Sequence, residues 1–150
     1  MSGSKVLFAI SWVILVIVAF LILLGSFASL ANAYSSRSES IGTVTTDQIR
    51  SLGGDDAVHQ FKARRVTAAT WSLAFAILFG WVVVGPYRQG SKWAWWAMLV
   101  SLGLSQLLSM ARAPLLGTES GVGTSAVALA FLLIGLLAGV PRIFSSQLKL

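Results

Sequence analysis

Four long stretches of this chain carry no ionisable side chain. Residues 6–30 form an uninterrupted run of 25, and residues 66–84, 93–111 and 122–140 form three runs of 19, none with Asp, Glu, Lys, Arg or His. A helix crossing ~30 Å of hydrocarbon needs roughly 20 apolar residues. Inside a bilayer the backbone must satisfy its own hydrogen bonds, so such runs are expected as helices. The predicted fold class is an all-α integral membrane protein. Four helices form an antiparallel transmembrane bundle in one membrane domain, with one polar extramembrane excursion between helices 1 and 2.

Composition agrees. Hydrophobic residues make up 56% of the chain and charged residues 11%, with a mean hydropathy of +0.81. A soluble domain averages about 25% charged residues. An ordinary soluble enzyme, a disordered tail and a disulfide scaffold are excluded, the last because Cys is absent. The signals between the runs fit four helices: Pro86 after the second, Ser91 as an N-cap for the third, Pro114 after it, and Pro141 as the end of the fourth. The first run has Lys5 before it and Ala31-Asn32-Ala33 after it, like a cleavable leader. Signal h-regions span about 7 to 15 residues, so the run is expected to persist as a signal-anchor.

Residues 31–63 are the polar excursion. It opens on Ser35-Ser36-Arg37-Ser38. A short helix over 46–52 is expected to stop at Gly53-Gly54. Asp55 or Asp56 then starts a new helix, whose extension from about residue 56 runs into the second span. The acids sit at the helix N-terminus, where the dipole favours them. Lys62, Arg64 and Arg65 follow, placed to meet lipid phosphates as an interfacial collar; the alternative is a site for an acidic partner.

Four spans place both termini on one side. With a cytoplasmic N-terminus, Lys5, Arg88, Lys92, Arg142 and Lys149 lie inside. Arg37, Arg50, Lys62, Arg64, Arg65 and Arg112 lie outside, so the basic residues set no clear bias. All five acids (Glu39, Asp47, Asp55, Asp56, Glu119) fall outside, with the loop 31–63 periplasmic or external. The expected compartment is a bacterial cytoplasmic membrane.

Lipid tails are as apolar as Leu, so the helices must associate by close packing of small residues. The second run carries Ala68, Ser72, Ala76 and Gly80 at four-residue spacing. The third carries Ala97, Ser101, Ser105 and Ser109, followed by Ala113. The fourth carries Gly135 and Gly139, and the first Gly25 and Ser29. These faces predict that spans two and three are neighbours. The alternative is a polar pore lined by Ser101, Ser105, Gln106 and Ser109. Gln106, the most polar side chain within a run, needs a partner on another span. Trp93, Trp95 and Trp96 after Lys92, with Tyr87 and Arg88 before them, read as an aromatic belt with snorkelling cations; Trp81 lies near the same surface, and Trp12 and Trp71 deeper. The turn from Pro86 to Trp95 resembles one found in small four-span bacterial proteins, a likeness that implies no activity.

Catalysis inside a membrane rests on ionisable groups facing the bundle interior, and the runs contain none. No catalytic residue, no cofactor-binding residue and no metal ligand is assigned. Asp55, Asp56 and His59 are the nearest approach to a surface metal site, without further His or Cys. No cofactor is predicted, although a bound lipid or pigment is compatible with six Trp. Nucleic acid is not expected, since the cations cluster at the ends of the runs. Arg112 and Glu119 are expected to pair across the third loop. The favoured function is a small accessory or structural subunit of a larger membrane complex, respiratory or photosynthetic in type, with membrane lipids and other subunits, or a second copy, as partners. The alternatives are a homo-oligomeric channel or carrier, and a binder of lipid or another apolar molecule between helices. An enzyme is the remotest reading.

Overall fold

The computed structural model describes residues 3–35, 40–41, 44–117 and 121–145. Arg37, Ser38, Glu39, Glu119 and Lys149, and with them the Arg112–Glu119 pair, lie outside the described residues. In chain order the elements are α1 (Gly3–Tyr34), β1 (Ser40–Ile41), β2 (Val44–Thr45), α2 (Thr46–Val82), a π-helical turn (Val83–Tyr87), α3 (Lys92–Met110), α4 (Arg112–Leu116) and α5 (Val122–Phe144). Four helices, Gly3–Tyr34, Thr46–Tyr87, Lys92–Leu115 and Val122–Phe144, are long and apolar enough to cross a membrane.

Helix α1 outruns the apolar stretch at both ends, because neither Gly3–Lys5 nor Ala31–Tyr34 contains a proline to stop it. The two-residue strands were not expected. They pair antiparallel, Ser40 with Thr45 and Ile41 with Val44. Thr45 then starts α2 through a reciprocal cap. Its hydroxyl accepts from the Gln48 N–H at 3.2 Å, while Gln48 Oε1 accepts from the Thr45 N–H at 2.9 Å. This is the Thr-x-x-Gln capping box, readable in the sequence and missed there.

Helix α2 is interrupted once, at Gly54 (φ 70°, ψ −169°). A Cβ there would meet nothing; what requires glycine is the backbone, which lies in a region other residues avoid. The expected break at Gly53-Gly54 is therefore a kink, after which the helix resumes. Arg50 bridges it, with Nε 2.8 Å from Asp55 Oδ1 and Nη1 3.4 Å from Asp47 Oδ1.

Prolines were expected to end two helices and do so only loosely. Pro86 lies inside the π-helical turn. It has no N–H for the Val82 carbonyl, and the ladder widens by one residue there. Pro141 does not end α5, which continues to Phe144. Ser91 stands at the N-cap of α3 with extended backbone, but its hydroxyl makes no capping bond. Pro114 falls in the first turn of α4, where its missing N–H leaves no helical bond unmade.

The chain divides into two compact units, residues 21–77, and residues 1–20 together with 78–150. In the first, α1 meets α2 through hydroxyls. Ser26 Oγ donates to the Ile22 carbonyl at 2.8 Å and so accepts from Ser72 Oγ at 2.7 Å. In the second, α3 packs chiefly on α5. Ser72 thus meets Ser26 of α1, while α3 packs chiefly on α5 and also touches the π-helical turn that ends the second span.

Candidate functional site

A fully buried polar junction lies in the unit formed by 1–20 and 78–150. Tyr87 and Ser11 are both fully buried. Ser11 Oγ donates to the Gly135 carbonyl at 2.6 Å, so the Tyr87 hydroxyl donates to Ser11 Oγ. Gly135 and Gly139 make room for this junction. A Cβ at Gly135 would lie 3.0 Å from Leu15 Cδ2, and one at Gly139 would collide with the Tyr87 hydroxyl. The GxxxG pair of α5 thus receives Ser11, Leu15 and Tyr87 against its bare backbone.

The widened turn before Tyr87 points that residue inward while Arg88 is exposed. Phe8 stacks on Tyr87 with centroids 5.5 Å apart. Arg142 Cζ stands 4.3 Å from the Phe8 centroid, and Arg88 Cζ 5.3 Å from the Trp12 centroid. Lys92 Nζ stands 5.8 Å from the Phe144 ring, which meets Trp95 edge-on at 5.5 Å. Trp95 Nε1 donates to the Leu136 carbonyl at 2.9 Å. Trp12 Nε1 is buried with no hydrogen-bond partner. Three cations thus rest on aromatic rings at one end of the unit, where α1 begins, α3 begins and α5 ends. The Trp93 and Trp96 rings are more than half exposed beside them.

The small-residue faces are used unevenly. Ala76 is buried on α2, Ser72 and Gly80 are half-buried, and Ala68 is exposed. On α3 the buried positions are Ala94, Met98, Leu102 and Gly103. Ala97 and Ser109 are half-buried, but Ser101 and Ser105 are exposed. Ser109 Oγ accepts from Ser125 Oγ at 2.8 Å and from Arg112 Nη2 at 2.6 Å. Arg112 is therefore engaged by the end of α3, with Nε also donating to the Ser109 carbonyl. Ser26, Thr67 and Thr70 return their hydroxyls to the carbonyl four residues back. Ser101 and Ser105 make no such bond, and the half-buried Gln106 amide has no partner among the described residues. The interspan partner expected for Gln106 is not found among the described residues. Beside this face an apolar groove of ≈ 440 Å³ is lined by Leu99, Val100, Gly103, Leu104 and Leu107 of α3 and Leu129 and Leu133 of α5.

Lys62 Nζ donates to the Ser35 carbonyl at 2.5 Å. Arg64 is exposed, and Arg65 is half-buried. Asp55 is held by Arg50, and no group of three or more His, Cys, Asp or Glu able to hold a metal occurs among the described residues. Comparison with known protein families, with curated proteins and with solved structures finds no match.

Proposed function

We propose that this chain is a four-span integral membrane protein that acts by association, as a non-catalytic accessory subunit of a larger membrane complex of respiratory or photosynthetic type. The observation that carries this reading is the serine face of α3. Ser101, Ser105 and Gln106 lie within an uncharged 19-residue run, yet no side-chain partner among the described residues serves them. An unpaired hydroxyl or amide in hydrocarbon costs on the order of several kcal/mol. A partner helix bearing polar or small residues would satisfy these groups, and the serines let its backbone approach closely. The absence of any titratable side chain within the four runs favours this role over proton or ion coupling. The expected compartment is a bacterial cytoplasmic membrane, with the basic end carrying Lys5, Arg88, Lys92 and Arg142 on the cytoplasmic side.

The chain has no native thiol, so Ser105→Cys supplies a unique cross-linking handle. A benzophenone attached to that thiol and irradiated in native membranes, which inserts into C–H bonds and needs no thiol on the partner, is expected to trap one different polypeptide in fixed ratio. A product of two copies of this chain favours the homo-oligomeric channel or carrier instead. No cross-link from either Ser101→Cys or Ser105→Cys removes the association reading.

The apolar groove between α3 and α5 favours a second reading, an acyl chain or other flat apolar molecule held beside Gly103. Mass spectrometry of the detergent-purified chain tests it, by a stoichiometric apolar ligand that Gly103→Leu displaces.

A further inference from the structure

The cations of this chain divide into those its own acceptors engage and those they do not. Arg50 is taken by Asp47 and Asp55, Lys62 by the Ser35 carbonyl, and Arg112 by Ser109. At the opposite end of α3, Arg88, Lys92 and Arg142 rest on aromatic rings, and no carboxylate or carbonyl among the described residues accepts from them. No Asp or Glu occurs in residues 1–20 or 78–117. A guanidinium over a ring has its flat face covered, while its N–H groups, which lie in the plane, stay free to bond outward.

The rings fix where the two guanidiniums stand. Phe8 and Trp12 are four residues apart on α1 and share one face of that helix. Arg142 covers the first and Arg88 the second, so the two forks are held over neighbouring rings. Lys5 lies one turn before Phe8 on the same helix and is exposed. Two forks held over rings one helical turn apart, with no carboxylate accepting from them among the described residues, suit a phosphate oxygen cluster, which guanidinium binds in bidentate fashion. Exposed apolar side chains border this end, among them Ile10, Val84 and Trp93. A ligand that joins a phosphate to hydrocarbon would meet both.

We propose that Arg88 and Arg142 form a cradle for the headgroup phosphate of an anionic phospholipid, with Lys5 and Lys92 adding positive potential. It rests on the four-span membrane reading above, and it is independent of which partner meets α3. Membrane insertion is scored separately, by resistance to alkaline extraction. Failure of the inserted parent chain to bind phosphatidylglycerol therefore overturns the cradle and leaves the span assignment standing.

The test uses the full chain in neutral detergent, titrated with phosphatidylglycerol, phosphatidylcholine or inorganic phosphate and followed by native mass spectrometry. Phosphatidylglycerol is expected to bind saturably, and phosphatidylcholine more weakly. Arg88→Gln with Arg142→Gln is expected to weaken phosphatidylglycerol about tenfold or more, the size of effect for losing charge-assisted bonds. Arg88→Lys with Arg142→Lys keeps the charge and recovers part of that loss. Arg112→Gln, a cation outside the cradle and engaged by Ser109, is expected to change nothing. Unchanged phosphatidylglycerol affinity in the glutamine pair overturns the proposal, as does an equal loss in Arg112→Gln. Inorganic phosphate binding as tightly as phosphatidylglycerol overturns the lipid assignment in favour of a free anion.

Discussion

The Tyr87 hydroxyl donates to Ser11 Oγ, and Ser11 donates in turn to the Gly135 carbonyl. Residues 76 and 124 positions apart are thereby joined through one buried hydroxyl. Each polar atom has a partner, so the relay adds specificity without leaving a bare donor inside.

Removing one member leaves the other unsatisfied. Ser11→Ala is expected to destabilise the fold by about 1–3 kcal/mol, because a buried phenol then lacks an acceptor. Tyr87→Phe removes the same bond from the other side. A double-mutant cycle, read by denaturant unfolding in micelles, is expected to return a coupling of about 0.6–1.7 kcal/mol, the range for hydrogen bonds between membrane helices. Additive losses would mean that the two hydroxyls do not interact.

Gly139 is the second half of the same junction. A methyl group there runs into the Tyr87 hydroxyl and lies 2.9 Å from Ser11 Oγ, and neither neighbour can withdraw, since both are fully buried. Gly139→Ala is expected to cost about 1–3 kcal/mol, as overpacking of a tight core does. Gly25→Ala meets nothing within 4 Å and is expected to be neutral or stabilising. Thermal unfolding of the two variants side by side distinguishes steric collision from a general effect of losing glycine.

The kink at Gly54 makes the opposite case, where backbone and not space sets the cost. Gly54→Ala is expected to destabilise by about 1–3 kcal/mol, although its Cβ has open room. Limited proteolysis is expected to cut α2 near residue 54 in the variant sooner than in the parent chain.

The four helices were legible because lipid-length apolar runs without charge have few other uses. The interruption at Gly54 was legible because paired glycines beside paired aspartates punctuate helices strongly. Partners were much less legible. Small residues at four-residue spacing mark a face that permits close approach, and the same pattern occurs on α2, α3 and α5. Nothing in the spacing says that Ser72 meets Ser26 or that Gly139 receives Tyr87. Those contacts depend on helix rotation and register, which are set by the whole packed set of side chains. Pro141 misled for a related reason. A proline removes one helical bond, and in an apolar helix packed on its neighbour one lost bond does not stop the chain.

The serine face of α3 gives the prediction that bears most directly on function. Ser101 and Ser105 are exposed on the chain yet lie in a run suited to hydrocarbon. If a partner helix closes on them, Ser105→Leu fills the space that its backbone needs. Co-purification of the partner in mild detergent is expected to fall about tenfold or more, since the lost packing and hydrogen bonding together amount to at least ~1.4 kcal/mol. Ser105→Ala keeps the close approach and removes only the hydroxyl, so a smaller loss is expected. Leu137→Ile, at an exposed position of α5, conserves volume and is expected to leave the complex intact. Equal recovery of the partner with all three variants would show that the face is simply covered by lipid.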